Sequence, residues 1–250
     1  MPRKQRRARS ARPRSRISVT GVLGELLITA GVLVFLFLGW QLWFNDLVVG
    51  GRQQSEALEL REQWGPDVDV PGEVDPASFG EPVVSAVPAD REQFANLYIP
   101  RFGADYVRPV AEGVGTRAVL NTIGVGHYPG TQMPGEVGNF AVAAHRTTHG
   151  APFNRIAELR IGDPIVVETA DGWYTYRFRT LDYVPPSGVE VLNAVPAVAD
   201  GQPTDRVITL TSCNPLFSDA ERIIAYGVYD SWRPRSAGPP AEVTAALGNG

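Results

Sequence analysis

The sequence predicts a mainly β protein, a closed or nearly closed β-barrel preceded by one transmembrane helix. Three observations lead to this fold class. An uninterrupted apolar segment lies near the N-terminus, a later region contains seven or eight short β-branched or aromatic runs, and only two segments of that region look helical. The 250 residues are 44% hydrophobic and 20% charged. This ordinary globular composition argues against a disordered or disulfide-dense chain.

The basic residues are concentrated at the N-terminus. Residues 1–16 contain eight Lys and Arg and no acid, whereas residues 17–250 hold the other 15 against 27 Asp and Glu, a net charge of −12. A nucleic-acid-binding domain carries its positive charge on the folded surface, so this distribution argues against a nucleic-acid partner. The basic tip is better explained as a topology determinant that contacts anionic lipid.

Residues 17–49 are predicted to form a transmembrane anchor. Leu26–Trp40 has no charge, and Val22–Phe44 has 23 residues with Glu25 near one end, which is long enough to cross a bilayer. A cleaved signal peptide is the alternative, but its apolar core is shorter and no small-x-small cleavage site follows here. The positive-inside rule places the N-terminus in the cytoplasm and the remaining chain outside, at the cell membrane.

Composition divides the rest of the chain into three parts. Residues 50–90 combine a short polar helix with an acidic linker that contains five prolines, residues 91–235 hold the β-domain, and residues 236–250 are expected to be a flexible tail. Asp171-Gly172 is expected to form a β-hairpin turn. The expected helices are residues 118–126 and 153–159, and the expected strands are residues 95–100, 106–111, 139–144, 164–169, 174–184, 206–211 and 223–229.

Cys213 is the only cysteine, so the chain forms no intramolecular disulfide and no cysteine-cluster zinc site. It lies where the run ITLTS ends and Pro215 prevents the strand from continuing, and a strand end holds a side chain rigidly at the border of a groove. A free cysteine is more often a small buried hydrophobic residue. An unpaired thiol outside the cytoplasm is exposed to oxidation, however, and the polar neighbours favour a nucleophile.

Three histidines, His127, His145 and His149, are candidates to activate this thiol. His145 shares the strand-end position of Cys213, because it follows the run NFAVAA. His127 precedes a turn and His149 lies in a loop, and each histidine alone is equally well explained as a hydrogen-bonded loop residue. A histidine-only metal site needs all three to converge, and the HRTTH spacing follows a strand instead of lying on a helix. We therefore expect no metal and no cofactor.

Arg222 opens the apolar run RIIAYGVY, nine residues after Cys213. The loop between them is short enough to return Arg222 to the thiol. Its permanently charged guanidinium is suited to stabilise an oxyanion or to hold substrate carbonyls. Taken alone, an arginine flanked by Asp219 and Glu221 is more often part of a surface ion pair, so the interpretation depends on Cys213, His145 and Arg222 together.

In these residues the sequence resembles the sortase family. The resemblance covers residues 92–231 and is carried by the membrane anchor, AHRTTHG, TLTSCNP and the following arginine. The VGHYPGT segment (residues 125–131) and the short loop after Cys213 are most similar to class E, and less so to class D. The resemblance implies a closed eight-stranded barrel with two or three short helices, and a cysteine transpeptidase with the catalytic residues Cys213, His145 and Arg222.

The resemblance also implies the reaction and its partners. An LPxTG-like or LAxTG-like sorting signal on a surface protein would be cleaved between Thr and Gly through a Cys213 thioester. The acyl group would then pass to an amine of the lipid-linked peptidoglycan precursor. Tyr128, Thr209, Thr211 and Asn214 are expected to contact the substrate, although the first three are equally compatible with structural roles. Asn214 departs from the pattern of many class E relatives, where a histidine or another polar residue is expected, and this bears on substrate preference.

Other classes of protein also combine a membrane tether with a thiol. An L,D-transpeptidase has its cysteine in a Ser/Thr-His-Gly-Cys context, whereas His149-Gly150 lies 63 residues before Cys213 here. A papain-like wall hydrolase has its cysteine before its histidine, which is the reverse of the present order. The non-enzymatic alternative is a membrane-tethered binding or assembly domain with an inert cysteine.

Overall fold

The computed structural model describes residues 18–40, 44–65 and 76–247, and the chain divides into two compact units after residue 42. The described part of the first unit contains helix α1, Val19–Gly39, which is long and apolar enough to cross a membrane and has no buried residue. The predicted basic tip and the middle of the predicted linker, residues 66–75, lie outside the described residues.

The second unit contains a closed barrel of eight strands, which confirms the predicted fold class. Around the barrel the order is β1-β2-β3-β4-β7-β8-β6-β5. The pairs β2/β3 and β4/β7 are parallel, and the other neighbours are antiparallel. The strands are β1 Gln93–Tyr98, β2 Val107–Glu112, β3 Val125–His127, β4 Gly138–Ala144, β5 Pro164–Thr169, β6 Gly172–Val184, β7 Arg206–Asn214 and β8 Glu221–Pro234.

Strand β3 is the strand that the sequence pattern did not predict. The helix expected over residues 118–126 is limited to one π-helical turn, Thr116–Leu120, and β3 begins soon after it. A Cβ atom on Gly126 would overlap the carbonyl oxygen of Gly113, so this short strand depends on close backbone contact and not on an apolar run. The helix expected over residues 153–159 shrinks to the 3₁₀ turn Ile156–Glu158.

Alternating side chains divide the barrel wall into an inner and an outer face. In β1, Ala95 and Leu97 join the interior cluster, whereas Tyr98 packs in a second cluster on the outside. The interior is filled mainly by aromatic and branched side chains, such as Phe140 and Ile208. This two-sided burial follows from the two-residue period of a strand.

The outer cluster is covered by helix α2, Asn45–Gln63, and by the end of the chain. Ala57 of α2 and Val243 pack there against Tyr98 and Trp173. The segment expected to be a flexible tail contains the 3₁₀ turns Arg235–Ala237 and Ala241–Val243 and helix α3, Thr244–Leu247. Val243 is only 1% exposed, because its apolar side chain completes this outer cluster.

The last part of the predicted linker also contacts the barrel. The Ser85 hydroxyl donates to the Asp171 carboxylate (2.5 Å), and the Tyr174 hydroxyl donates to the Val83 carbonyl (2.6 Å). Asp171 lies in the turn of the β5–β6 hairpin, whose strands pair in antiparallel register at Glu168 and Trp173. Residues 83–85 are therefore attached to the barrel wall.

A buried carboxylate joins α2, β1, β5 and the C-terminal segment. Glu168 is fully buried and accepts hydrogen bonds from Arg61 (3.2 Å), Arg235 (2.8 Å), the Tyr98 hydroxyl (2.7 Å) and the Asn96 amide (3.2 Å). Burial, followed by the nearby Glu168 charge, raises the pKa of Tyr98 well above its usual value, so the phenol keeps the proton that it donates. Two arginines and two neutral donors thus satisfy the charge of Glu168.

We expect Glu168→Ala to lower the free energy of unfolding by about 3–5 kcal/mol, because it removes the buried carboxylate that compensates the charges of Arg61 and Arg235. The measurement is urea unfolding of the full chain in detergent micelles, followed by tryptophan fluorescence. Glu62→Ala removes an exposed carboxylate from the same helix that carries Arg61 and should change stability by less than about 0.5 kcal/mol. Equal midpoints for the two variants would contradict the prediction.

Candidate active site

Parallel pairing of β4 with β7 brings two strand ends together. Ala141 lies beside Thr209, and Ala143 lies beside Thr211. Continuing the same register by two residues places His145, which follows β4, next to Cys213 near the end of β7. The two side chains point to the outer face of the barrel, since strand residues alternate between faces.

Arg222 approaches the same place from the opposite strand. It lies directly across from Cys213 in the antiparallel pair β7/β8, where the Cβ atoms of facing residues are about 4.5–5.5 Å apart on the same face. Its guanidinium donates through Nη1 to the backbone carbonyls of Asp219 (3.0 Å) and Glu221 (3.1 Å). These two contacts hold the guanidinium against the backbone of residues 219–221.

His145 and Cys213 line one pocket of about 380 Å³. Cys213 is partly exposed in it, and the side chain of Phe217 is 71% exposed at its border. The thiol is therefore open to a ligand. The other lining residues come from the loop after β4, Arg146, Thr147 and Thr148, and from the β7–β8 loop, Ser218 and Asp219.

A hydrogen bond fixes the ring of His145. Its Nε2–H donates to Oδ1 of Asn121 (2.7 Å), so Nδ1 carries the free lone pair of the neutral ring and is the atom that can accept a proton. Burial lowers the pKa of His145 below its usual value; the nearby His149 lowers it further, and the Asp46 carboxylate opposes the shift. The environment therefore favours the neutral, proton-accepting ring.

The sequence neighbours of the three candidate catalytic residues contact one another. Arg146 donates to Oδ1 of Asn214, and the Asn214 amide donates to the Glu221 carboxylate. These residues follow His145, follow Cys213 and precede Arg222, respectively. This network links the three backbone segments that carry the site. Both polar atoms of the Asn214 side chain, which the sequence analysis expected to contact substrate, are engaged in it.

The other expected substrate-contacting residues have different surroundings. The Tyr128 hydroxyl lies 2.9 Å from the Thr211 hydroxyl, two residues before Cys213. Thr209 is fully buried and donates to Oδ1 of Asn139 (2.7 Å), and the Asn139 amide holds the β6–β7 loop through two backbone carbonyls. The structure therefore brings Tyr128 and Thr211 together and gives Thr209 a contact inside the wall.

The three histidines do not converge. His127 is fully buried, with Nδ1 2.6 Å from the Glu112 carboxylate and Nε2 2.9 Å from the Thr131 hydroxyl. His149 lies beside His145, with 5.2 Å between the ring centroids. Among the described residues, no group of three or more His, Cys, Asp or Glu side chains is arranged to hold a metal ion.

Asn121, Arg146 and Glu221 are the site residues that the sequence analysis did not identify. Arg146 is next to His145 in the chain and Glu221 is next to Arg222. This adjacency could have identified them as candidate site residues. Asn121 lies 24 residues before His145, and no local pattern distinguishes it from other polar loop residues.

Comparisons with known proteins give one family. The sequence model of the Sortase domain family matches residues 97–230. The chain is 37% identical to Sortase SrtE1 of Streptomyces coelicolor over 94% of this chain and 64% of that protein. It is 32% identical to Sortase SrtE2 of the same organism over 82% of this chain and 80% of that protein. The match to SrtE1 thus spans slightly less than two thirds of that relative.

Solved structures agree with the sequence comparisons. The SrtA sortase from Actinomyces oris superposes with a TM-score of 0.62 at 39% identity, over 66% of this chain and 94% of that chain. Sortase E1 from Streptomyces coelicolor, solved with a tripeptide in the active site, gives a TM-score of 0.56 at 42% identity, over 62% of this chain and 99% of that chain.

We expect Asn121→Ala to lower the rate of Cys213 alkylation by iodoacetamide at neutral pH by about tenfold, because His145 loses the acceptor that orients its ring. Asn121→Asp should instead raise the pKa of His145, since a carboxylate favours the charged ring. His145 is titrated by NMR of the three labelled histidines. Thr122→Ala, an exposed neighbour, should leave both measurements unchanged. Wild-type alkylation in Asn121→Ala would contradict the assignment.

Proposed function

Since the chain belongs to the sortase family, a family of cysteine transpeptidases, we propose that it is a membrane-anchored transpeptidase that joins surface proteins to the cell wall. The observation that carries the proposal is the meeting of His145 and Cys213 in one open pocket, with Arg222 directly across the strand pair. This arrangement supplies a nucleophile, a proton carrier and a fixed positive charge.

The first half-reaction forms a thioester. Nδ1 of the neutral His145 ring accepts the Cys213 proton, and Sγ attacks the threonine carbonyl carbon of an LPxTG-like or LAxTG-like sorting signal. The tetrahedral intermediate collapses as the Thr–Gly C–N bond breaks. The imidazolium returns its proton to the leaving glycine amine, which leaves the surface protein attached to Cys213.

The second half-reaction transfers the acyl group. An amine of the lipid-linked peptidoglycan precursor attacks the thioester carbonyl, and His145 accepts the amine proton. The C–S bond then breaks as a new amide forms, and the thiolate recovers its proton from His145. The lowered pKa of His145, caused first by burial, favours the neutral ring, which is the form that can accept a proton in each half of the cycle.

Arg222 stabilises the oxyanion in this mechanism. Its Nη1 donates to the backbone carbonyls of Asp219 and Glu221 in the structure, and a guanidinium carries five N–H groups in all. It can therefore turn further donors towards the substrate while the loop holds it. Charge developing on the threonine oxygen replaces part of the interaction with the neutral carbonyls.

The substrate lies along the outer face of β7 in this proposal. Tyr128 and Thr211 are proposed to border its path to Cys213, because their hydroxyl groups contact each other and Thr211 lies two residues before Cys213 on the same face of β7. Thr209 and Asn214 act indirectly. Thr209 supports Asn139, which holds the β6–β7 loop, and Asn214 links Arg146 to Glu221.

Helix α1 and the charge distribution support the proposed membrane placement. The helix is long and apolar enough to span a bilayer, and the eight basic residues before it place the N-terminus in the cytoplasm by the positive-inside rule. The domains are then a cytoplasmic tip (residues 1–16), an anchor (17–49), a connecting helix and linker (50–90), a catalytic barrel (91–235) and a C-terminal segment (236–250).

Cys213→Ala should abolish both cleavage of a sorting-signal peptide and formation of the thioester, because no other thiol exists in the chain. Intact-mass spectrometry of the full chain with the peptide detects the acyl-enzyme directly. A charged thiol reagent should label the native wild type once, since Cys213 is partly exposed. An unreactive thiol and retained cleavage in Cys213→Ala would instead identify a binding or assembly domain.

Arg222→Lys should lower kcat for peptide cleavage by roughly 10²–10³-fold, the usual effect of removing one oxyanion donor, because lysine lacks the planar set of donors. KM should change much less. Arg179→Lys, which alters an exposed arginine on β6, is the matched control and should retain wild-type kcat. An Arg222→Lys enzyme with wild-type kcat would exclude the arginine from the oxyanion site.

A further inference from the structure

The first turn of helix α2 contacts the loop that carries His145. The Asp46 carboxylate accepts hydrogen bonds from two backbone N–H groups of this loop, Thr148 to Oδ2 and Gly150 to Oδ1, both at 3.2 Å. Asp46 lies about a hundred residues earlier in the chain. A side chain in the last residues of the predicted anchor (17–49), at the start of α2, is thus a direct partner of the loop beside Cys213.

The backbone that Asp46 holds has an unusual conformation. Four consecutive residues have positive φ: Thr148 (64°), His149 (51°), Gly150 (80°) and Ala151 (41°). Non-glycine residues rarely adopt such angles and keep them only where their surroundings enforce them. In this conformation successive N–H groups can converge on an anion, and the carboxylate of Asp46 fills that position.

Two further residues on the same face of α2 complete the contact. Gln53 is fully buried and donates from Nε2 to the His149 carbonyl (3.1 Å). Gly50 lies so close that a Cβ atom on Gly150 would be 3.1 Å from the Gly50 nitrogen and 2.6 Å from Oε1 of Gln53. Asp46, Gly50 and Gln53 follow one another at intervals of four and three residues, the spacing of one helix face.

The contact between α2 and the loop affects His145, the proposed proton carrier, in two ways: through the loop backbone and through the charge of Asp46. The His149 ring lies beside the His145 ring. Burial and His149 lower the pKa of His145, whereas Asp46 raises it. The titratable and charged groups around His145 are Asp46 from α2, Arg146 and His149 from its own loop, Cys213 from β7, Asp219 from the β7–β8 loop and Arg222 from β8.

We propose that Asp46 is a positioning residue of the active site, which holds the strained loop of residues 148–151 and thereby the ring of His145 beside Cys213. Helix α2 then helps to position the active-site residues and does not serve only as a spacer between membrane and barrel. This inference rests on the proposed function for its effect on turnover. Its effects on the loop and on the titration of His145 are independent of that function.

Two substitutions separate the charge of Asp46 from its hydrogen bonds. Asp46→Asn removes the charge but keeps one acceptor oxygen, so it should lower the pKa of His145 while accelerating amide exchange at only one of Thr148 and Gly150. Asp46→Ala removes both functions and should accelerate exchange at both amides. Glu59→Gln makes the same charge change on the exposed face of α2 and should change neither quantity.

The measurements use the full chain in detergent micelles. NMR of the three histidines titrates His145, hydrogen exchange reports the 148–150 amides, and cleavage of a sorting-signal peptide gives kcat and KM across pH. We expect Asp46→Ala to lower kcat by roughly tenfold, as for loss of a charge-assisted hydrogen bond. KM should change little, and the acidic limb of the kcat/KM profile should move to lower pH.

The two proposals fail in different ways. If wild-type protein cleaves no sorting peptide but the Asp46 variants change the titration and the amide exchange as stated, the proposed function is wrong and the positioning role stands. If both Asp46 variants keep the wild-type titration of His145 and the wild-type exchange, the positioning role is overturned, whatever the peptide assay shows. Wild-type kcat and pH profile in an otherwise active Asp46→Ala enzyme would overturn it as well.

Discussion

The chemistry of this protein depends on the register of three neighbouring strands. Strand β4 runs parallel to β7, and β7 runs antiparallel to β8, so the end of β4, the end of β7 and the start of β8 lie at the same edge of the barrel. His145, Cys213 and Arg222 occupy these three places. A shift of one residue in either pairing would turn one of the side chains to the opposite face of the sheet. The backbone pairing of the barrel thus determines which three side chains are brought together at this edge.

The side chains next to the candidate catalytic residues protect that register where the hydrogen-bond ladder ends. Strand ends lose ladder partners, so the last residues need other contacts to stay in place. Arg146, Asn214 and Glu221 supply them by bonding across the three segments. Asn214 and Glu221 lie within strands, next to Cys213 and Arg222, so their side chains point to the opposite face of the sheet. Arg146 follows His145 and lines the same pocket. The residues adjoining the three candidate catalytic side chains thus hold the backbone that carries them.

The sequence was sufficient to predict those strands and site residues whose own local sequence has a recognisable pattern. Apolar runs with β-branched residues located seven strands, and polar residues directly after two of them identified His145 and Cys213. Strand β3 was missed because its three residues are held by neighbouring backbone, with Gly126 against Gly113. Asn121 was missed for a related reason. Its importance comes from a partner 24 residues away, and only the folded barrel shows which distant polar residue meets His145.

Helix α2, which the composition describes only as polar, makes buried polar contacts that composition does not reveal. A helix rich in polar residues is expected to be solvated, yet Gln53 is fully buried, Asp46 binds the loop after His145, and Arg61 reaches buried Glu168. The helix rises about 1.5 Å per residue, so Asp46 and Arg61 are roughly 22 Å apart along its axis and tie it to the barrel at both ends. Polar side chains that find buried partners fix the direction of a helix more narrowly than an apolar stripe does, because each hydrogen bond restricts both distance and angle. A helix held in this way keeps the loop of residues 148–150 in a defined position relative to the barrel.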